Sequence, residues 1–171
     1  MMRAQTRTTL QAGALVTAAL MLLGSTLSAQ QIDLGQPRVA GKEHVLLLSD
    51  SVDVVAGKPQ DVELRFRVQD GFHINSHTPK DELLIPTVLK VDEASGLRVM
   101  NESYPEGVSF RLPIGEGETL DVYQGEFRVM LRMVVPKGAS TLNGTLHYQA
   151  CDNAACFPPR NLAVHVAVRG E

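Results

Sequence analysis

Tryptophan is absent from the 171 residues, and Phe and Tyr together make up 5%. A core built from this chain must therefore be aliphatic, drawn mostly from Val, Leu, Ile and Ala. Two cysteines are too few for a miniprotein framework of disulfides, and the chain is long enough to bury one core without such help. Positive charge is short as well: 16 Lys and Arg stand against 19 Asp and Glu. With no basic patch, a nucleic-acid surface is not expected. A Gly-rich phosphate loop, a Ser nucleophile elbow and a His pair at helical spacing are all missing. No motif calls for a cofactor.

The beginning of the chain sets the compartment. "MMRAQTRTTLQAGALVTAALMLLGSTLSAQ" places Arg3 and Arg7 before an apolar run from Ala12 to Leu23, and small residues follow up to Ala29. This is the basic, apolar, small-residue order of a secretory signal peptide. The run is shorter than the roughly 20 residues a spanning helix needs, and no basic stop follows it. Cleavage is expected near Ala29, so residues 1–29 are read as a signal peptide and 30–171 as a single domain with no membrane span. No Cys lies at the junction, so a lipoprotein form is not expected. Residues 1–29 hold two Arg and no acid, leaving 14 basic and 19 acidic residues, a net charge of −5. The expected product is a mildly acidic exported protein.

The remainder reads as strands and turns. In "VELRFRV", Val62, Leu64, Phe66 and Val68 share one side, while Glu63, Arg65 and Arg67 share the other. In "EFRVMLRMVV" the inward set is Phe127, Val129, Leu131 and Met133; in "NLAVHVAV" it is Leu162, Val164, Val166 and Val168. A period of two is the mark of a half-buried strand. "TVLKV", "LRVM" and "TLNGTLHYQAC" are further strands, and "AGKPQ", "QDGFH" and "PKGAS" are turns. Pro79 and Pro86 argue against a long helix between them. "FRLPIGEGETLDVY", rich in Gly and Glu, reads as a long loop ending in a strand. Strands recur about every ten residues with turn signals between them, which predicts an all-β, immunoglobulin-like antiparallel β-sandwich.

Both cysteines lie in "YQACDNAACFPP", five positions apart. In an oxidising compartment they can hold a stable disulfide. Spacing alone leaves three readings open. A structural staple over so short a loop is worth only ~2 kcal/mol by chain-entropy reasoning. A bridge forced into a turn between strands can instead be a reducible, working dithiol. A metal clip needs more ligands, and His147 and His165 form no zinc spacing; they are expected on the outer faces of two strands.

The whole segment resembles the active-site loop of the N-terminal periplasmic domain of the DsbD family, the bacterial thiol:disulfide interchange proteins. The pattern Tyr-Gln-x-Cys, short loop, Cys, aromatic, Pro-Pro is met by Tyr148, Gln149, Cys151, Cys156, Phe157, Pro158 and Pro159. "VQDGFHINSHTPKDELLIPTVL", "YPEG" and "VYQGEFRVMLRM" are similar to the family's earlier strands, so the resemblance runs from Val45 to Val168. It implies an immunoglobulin-like domain with a dithiol near one end. Such a domain takes electrons from a thioredoxin-like or membrane thiol donor and passes them to oxidised periplasmic protein clients.

Carried onto this chain, the resemblance makes Cys156 the attacking thiol and Cys151 the resolving one. Where family sites have tyrosines, this chain has His73 and Asn75, and an imidazole near a thiol favours the thiolate. His77 is a weaker candidate of the same kind. Tyr148 and Phe157 flank the cysteines. A cap loop is expected over Phe110 to Leu120, with Phe110 as its apolar contact; an ordinary hairpin loop is the alternative. The full family protein also carries a membrane-embedded and a thioredoxin-like domain. This chain stops at Glu171, so electrons are expected from a separate protein. The competing expectation is an exported binding or adaptor domain with an inert disulfide. The sequons at Asn101 and Asn143 carry no weight in a bacterial source.

Overall fold

The alternating segments are strands, and their alternation is what builds the core. The computed structural model describes residues 43–92, 96–112 and 117–171; the signal-peptide expectation for residues 1–29 lies outside them. In chain order the strands are β1 (Val45–Leu47), β2 (Ser51–Val54), β3 (Gln60–Val68), β4 (His73–Asn75), β5 (Val88–Val91) and β6 (Arg98–Ser103). They continue with β7 (Val108–Arg111), β8 (Thr119–Tyr123), β9 (Glu126–Val134), β10 (Gly138–Tyr148), β11 (Ala150–Cys151) and β12 (Arg160–Gly170). Among the described residues there is no helix.

Three four-stranded sheets result, in the orders β1-β3-β9-β6, β2-β12-β10-β5 and β11-β4-β8-β7. The fold is an all-β, immunoglobulin-like sandwich. Val62, Leu64, Phe66 and Val68 of β3 and Phe127, Val129, Leu131 and Met133 of β9 are buried in one cluster with Leu142, Leu146, Leu162, Val164, Val166 and Val168 of β10 and β12. These are the inward sets the alternation predicts. Full burial of each such side chain is worth about 1.5–3 kcal/mol, and the aliphatic core expected from the lack of aromatics is what is found. Its aromatic members are Phe66 and Phe127, stacked at 5.3 Å, together with the buried Tyr123 and Tyr148.

Two features differ from the sequence reading. The pairing is antiparallel except for β2, which runs parallel to β12 from Ser51↔Ala167 to Val54↔Gly170. Between β1 and β2 the chain passes from the first sheet to the second, and such a switch of sheets has no local sequence signal. The start of "FRLPIGEGETLDVY" is strand rather than loop: Phe110 and Arg111 belong to β7 and pair with Leu120 and Thr119 of β8. Only four residues of β7 alternate, and the Gly and Glu that follow mask them. His147 and His165 lie on the outer faces, each with Nδ1 against a neighbouring asparagine, Asn161 at 2.7 Å and Asn143 at 2.8 Å.

The long β10–β12 hairpin sets the place of the cysteines. Eleven pairs run from Gly138↔Gly170 to Tyr148↔Arg160. Beyond Tyr148 the two strands part. β11 crosses to the third sheet and pairs with β4, Ala150 against Ile74 and Cys151 against His73.

Candidate functional site

Cys151 and Cys156 form a disulfide, with Cα atoms 3.9 Å apart and an antiparallel bridge between the two residues. The loop between them is shaped by its own first residue. Asp152 Oδ1 accepts hydrogen bonds from the N–H groups of Ala154 at 2.7 Å and Ala155 at 2.8 Å. Its own N–H donates to the Ala155 carbonyl at 3.0 Å. This is the Asx-type turn that Asp supports. The two N–H groups, helped by the His73 field, hold the Asp152 carboxyl below its ordinary value. The return limb is tied by the Phe157 N–H to the Ala150 carbonyl at 2.8 Å and by Gln149 Nε2 to the Phe157 carbonyl at 3.1 Å.

The two cysteines are not equivalent. Cys151, held in the β11–β4 ladder, is 1% exposed. Cys156, on the return limb, is exposed. A disulfide with one reachable and one shielded residue can be opened by a thiolate that approaches from the Cys156 side. The shielded sulfur is then released next to the mixed bond.

His73 sits opposite Cys151 in the ladder. Gly71, at φ 84°, makes the turn that delivers it, and the Phe72 N–H closes that turn on the Gln69 carbonyl at 3.1 Å. The imidazole is 1% exposed. Burial lowers its pKa, and the field of Asp152 opposes that shift. Phe110 covers it, ring centres 4.2 Å apart. Phe110, expected as the apolar contact of a cap over the dithiol, lies against His73. Residues 113–116, the middle of that segment, lie outside the described ones.

Phe157 packs on the other side of the loop, 5.1 Å from His44 and 5.8 Å from Phe72. His44 and Phe72 are themselves 4.1 Å apart. Tyr148 is buried at the end of β10, with its hydroxyl taking a 3.4 Å contact from the His44 N–H. Burial raises its pKa.

Asn75 shares the β4 strand but has a different setting. It is fully buried, its side-chain Nδ2 donates to the Ile85 carbonyl at 2.9 Å, and its backbone carbonyl accepts from Thr87 Oγ1 at 2.6 Å. It fastens the β4–β5 connection. His77 stacks on Tyr104 at 3.7 Å, with Nδ1 2.9 Å from the Thr87 carbonyl. The structure therefore gathers Cys151, Cys156, His73, Phe110 and Phe157, with Tyr148 beneath, and sets Asn75 and His77 in the neighbouring hydrogen-bond network.

Sequence reasoning missed Asp152, Phe72 and His44. Asp152 had a signal, since Asp at the head of a short polar loop is an Asx-turn residue. Phe72 adjoins the Asp-Gly turn. His44 had none, because its partner Tyr148 is 104 positions away. Among the described residues no group of three or more His, Cys, Asp or Glu is placed to hold a metal, and no helix is long and apolar enough to cross a membrane.

Known proteins similar to this chain fall in one group. The N-terminal domain of Neisseria meningitidis DsbD in its reduced form is similar at 24% identity and a TM-score of 0.44, over 68% of this chain and 83% of that one. The N-terminal periplasmic domain of ScsB from Proteus mirabilis is similar at 17% identity and a TM-score of 0.47, over 71% of this chain and 43% of that one. No curated protein matches significantly. The profile of the family "Thiol:disulfide interchange protein DsbD, N-terminal" matches residues 44–167, cysteine loop included. That span is most of the sequence, and the chain belongs to the family of DsbD N-terminal domains.

Proposed function

We propose that this chain is an exported, periplasmic protein-disulfide reductase module that carries two electrons on the Cys151/Cys156 pair. The observation that carries the reading is the unequal exposure of one disulfide, Cys156 open and Cys151 1% exposed. In the reduced protein the Cys156 thiolate attacks a client disulfide, and one client thiolate leaves. Cys151, as thiolate, then attacks Cys156 Sγ. The second client thiolate departs with the electron pair, and the Cys151–Cys156 bond re-forms. A thioredoxin-like or membrane thiol donor restores the dithiol by the reverse sequence. The basic, apolar and small-residue order of residues 1–29 supports export.

The test is mixed-disulfide trapping with an oxidised protein substrate. Cys151→Ala should accumulate a Cys156-linked adduct, whereas Cys156→Ala should form none and keep its fold. Equal trapping by both variants would reverse or abolish the assigned order. A disulfide that resists a reduced thioredoxin-like protein until the chain is denatured would favour the other reading, an exported binding or adaptor domain with an inert bridge.

A further inference from the structure

Paired residues in an antiparallel ladder project to the same side of the sheet, with Cβ atoms about 4.5–5.5 Å apart. His73 and Cys151 are such a pair. The imidazole is 1% exposed, and its Nε2 is buried without a hydrogen-bond partner among the described residues. A buried, unpaired ring nitrogen is uncommon and asks for a donor. In the disulfide Cys151 has no proton to offer; reduction gives it one.

We propose that His73 is the proton acceptor for the Cys151 thiol, drawing its proton when Cys151 resolves the mixed disulfide held on Cys156. The inference rests on the exchange reading above and adds a residue to it. The step balances. The Cys151 S–H proton passes to His73 Nε2, and the sulfur's electron pair forms the bond to Cys156 Sγ. The client sulfur leaves with the pair of the broken bond and takes up a proton from the imidazolium or from water.

The surroundings suit this role. Burial keeps the imidazole neutral near pH 7, the form that accepts a proton. Phe110 fixes the ring at 4.2 Å from one side. The charge that reaches His73 is that of Asp152, on the cysteine loop, and it stabilises the imidazolium once formed. The other titratable groups nearby face elsewhere. Arg111 alternates with Phe110 on β7 and so points to the opposite side. Tyr123 of β8 pairs with Ile74, on the reverse face of β4 from His73. Asp121 is bound to Lys80 at 3.3 Å.

The experiment mixes the reduced protein with bis(nitrobenzoate) disulfide, whose leaving thiolate is coloured. Two releases of equal size are expected. The first reports attack by Cys156 and the second reports resolution by Cys151. His73→Gln should leave the first within about twofold and slow the second about 100-fold, the low end of what a positioned proton acceptor supplies. The second phase of the unsubstituted protein should level off above the His73 titration, which lies below the ordinary 6.5. In His73→Gln it should instead keep rising with pH through the alkaline range in which an unassisted thiol ionises, a range that burial moves up. His73→Phe keeps the packing against Phe110 but has no acceptor, and should give the same result if the Gln variant does not fold. A second phase unchanged in rate and pH profile in these variants overturns the role of His73 and leaves the exchange reading standing. No release at all from the folded, unsubstituted protein overturns both.

Discussion

Reduction of the Cys151–Cys156 bond should lower stability only slightly and leave the fold intact. The magnitude follows from the size of the loop. The cysteines are five positions apart, and the loop-entropy relation gives about 2 kcal/mol for so short a ring. With an unfolding entropy of ~2.1 cal/mol/K per residue in a domain of this size, that is a fall in Tm of about 7–8 °C. The native loop has other ties. Tyr148↔Arg160 closes the hairpin just outside it. The Phe157 N–H bonds the Ala150 carbonyl at 2.8 Å, and Asp152 gathers two N–H groups within it. None of these needs the sulfur–sulfur bond. The assay is thermal unfolding by circular dichroism, with and without a non-thiol phosphine reductant. One cooperative transition is expected in both states. A fall of more than about 20 °C, well beyond the loop-entropy range, or a loss of cooperativity, would refute the reasoning and make the bridge a staple.

Two further outcomes can be checked. Tyr123→Phe removes a hydroxyl that accepts from the His77 N–H at 3.0 Å and donates to the Pro105 carbonyl at 2.9 Å; urea denaturation should show a loss of about 1–3 kcal/mol. Asp152→Asn should destabilise the domain above pH 4, by an amount that shrinks below that pH and disappears only at more acid pH. The Asp152 carboxyl sits below its unfolded value of 3.8, so its contribution is present above that value and is lost as pH falls through the lower folded one. The Tm difference between the two proteins should therefore close on acidification.

Long, regular alternation was legible, and short or distant pairing was not. β3, β9 and β12 each repeat the inward–outward pattern over nine to eleven residues, and one slip of register would expose the whole apolar set. β4 and β11 are three and two residues long. At that length a period cannot be read, and their pairing depends on a contact between His73 and Cys151 that spans most of the domain. The His73 position was found only because the Asp70-Gly71 turn fixed its register against the family pattern. The same register put Asn75 forward, and a register argument cannot distinguish a residue beside the dithiol from one fastened to Ile85 and Thr87.

The inequality of the two cysteines has its origin in where the second sheet ends. If β10 and β12 kept the register of Tyr148↔Arg160, Cys151 would stand opposite Phe157 and Cys156 opposite Asp152, on opposite faces of one sheet and unable to bridge. The chain instead leaves that sheet at Gln149 and lends two residues to the third sheet. The first cysteine becomes part of a buried ladder, and the second is left on the limb that returns to the surface. A bridge meant only to hold a turn has no need of this arrangement, since loop entropy is the same whichever end is buried. Exchange does need it. The outer sulfur must be reachable by a partner, and the inner one must be shielded from that partner yet next to the mixed bond. Burying the inner thiol raises the cost of its thiolate, so the same geometry that shields Cys151 also calls for a nearby group to take its proton. The residue that β4 sets across from it is His73.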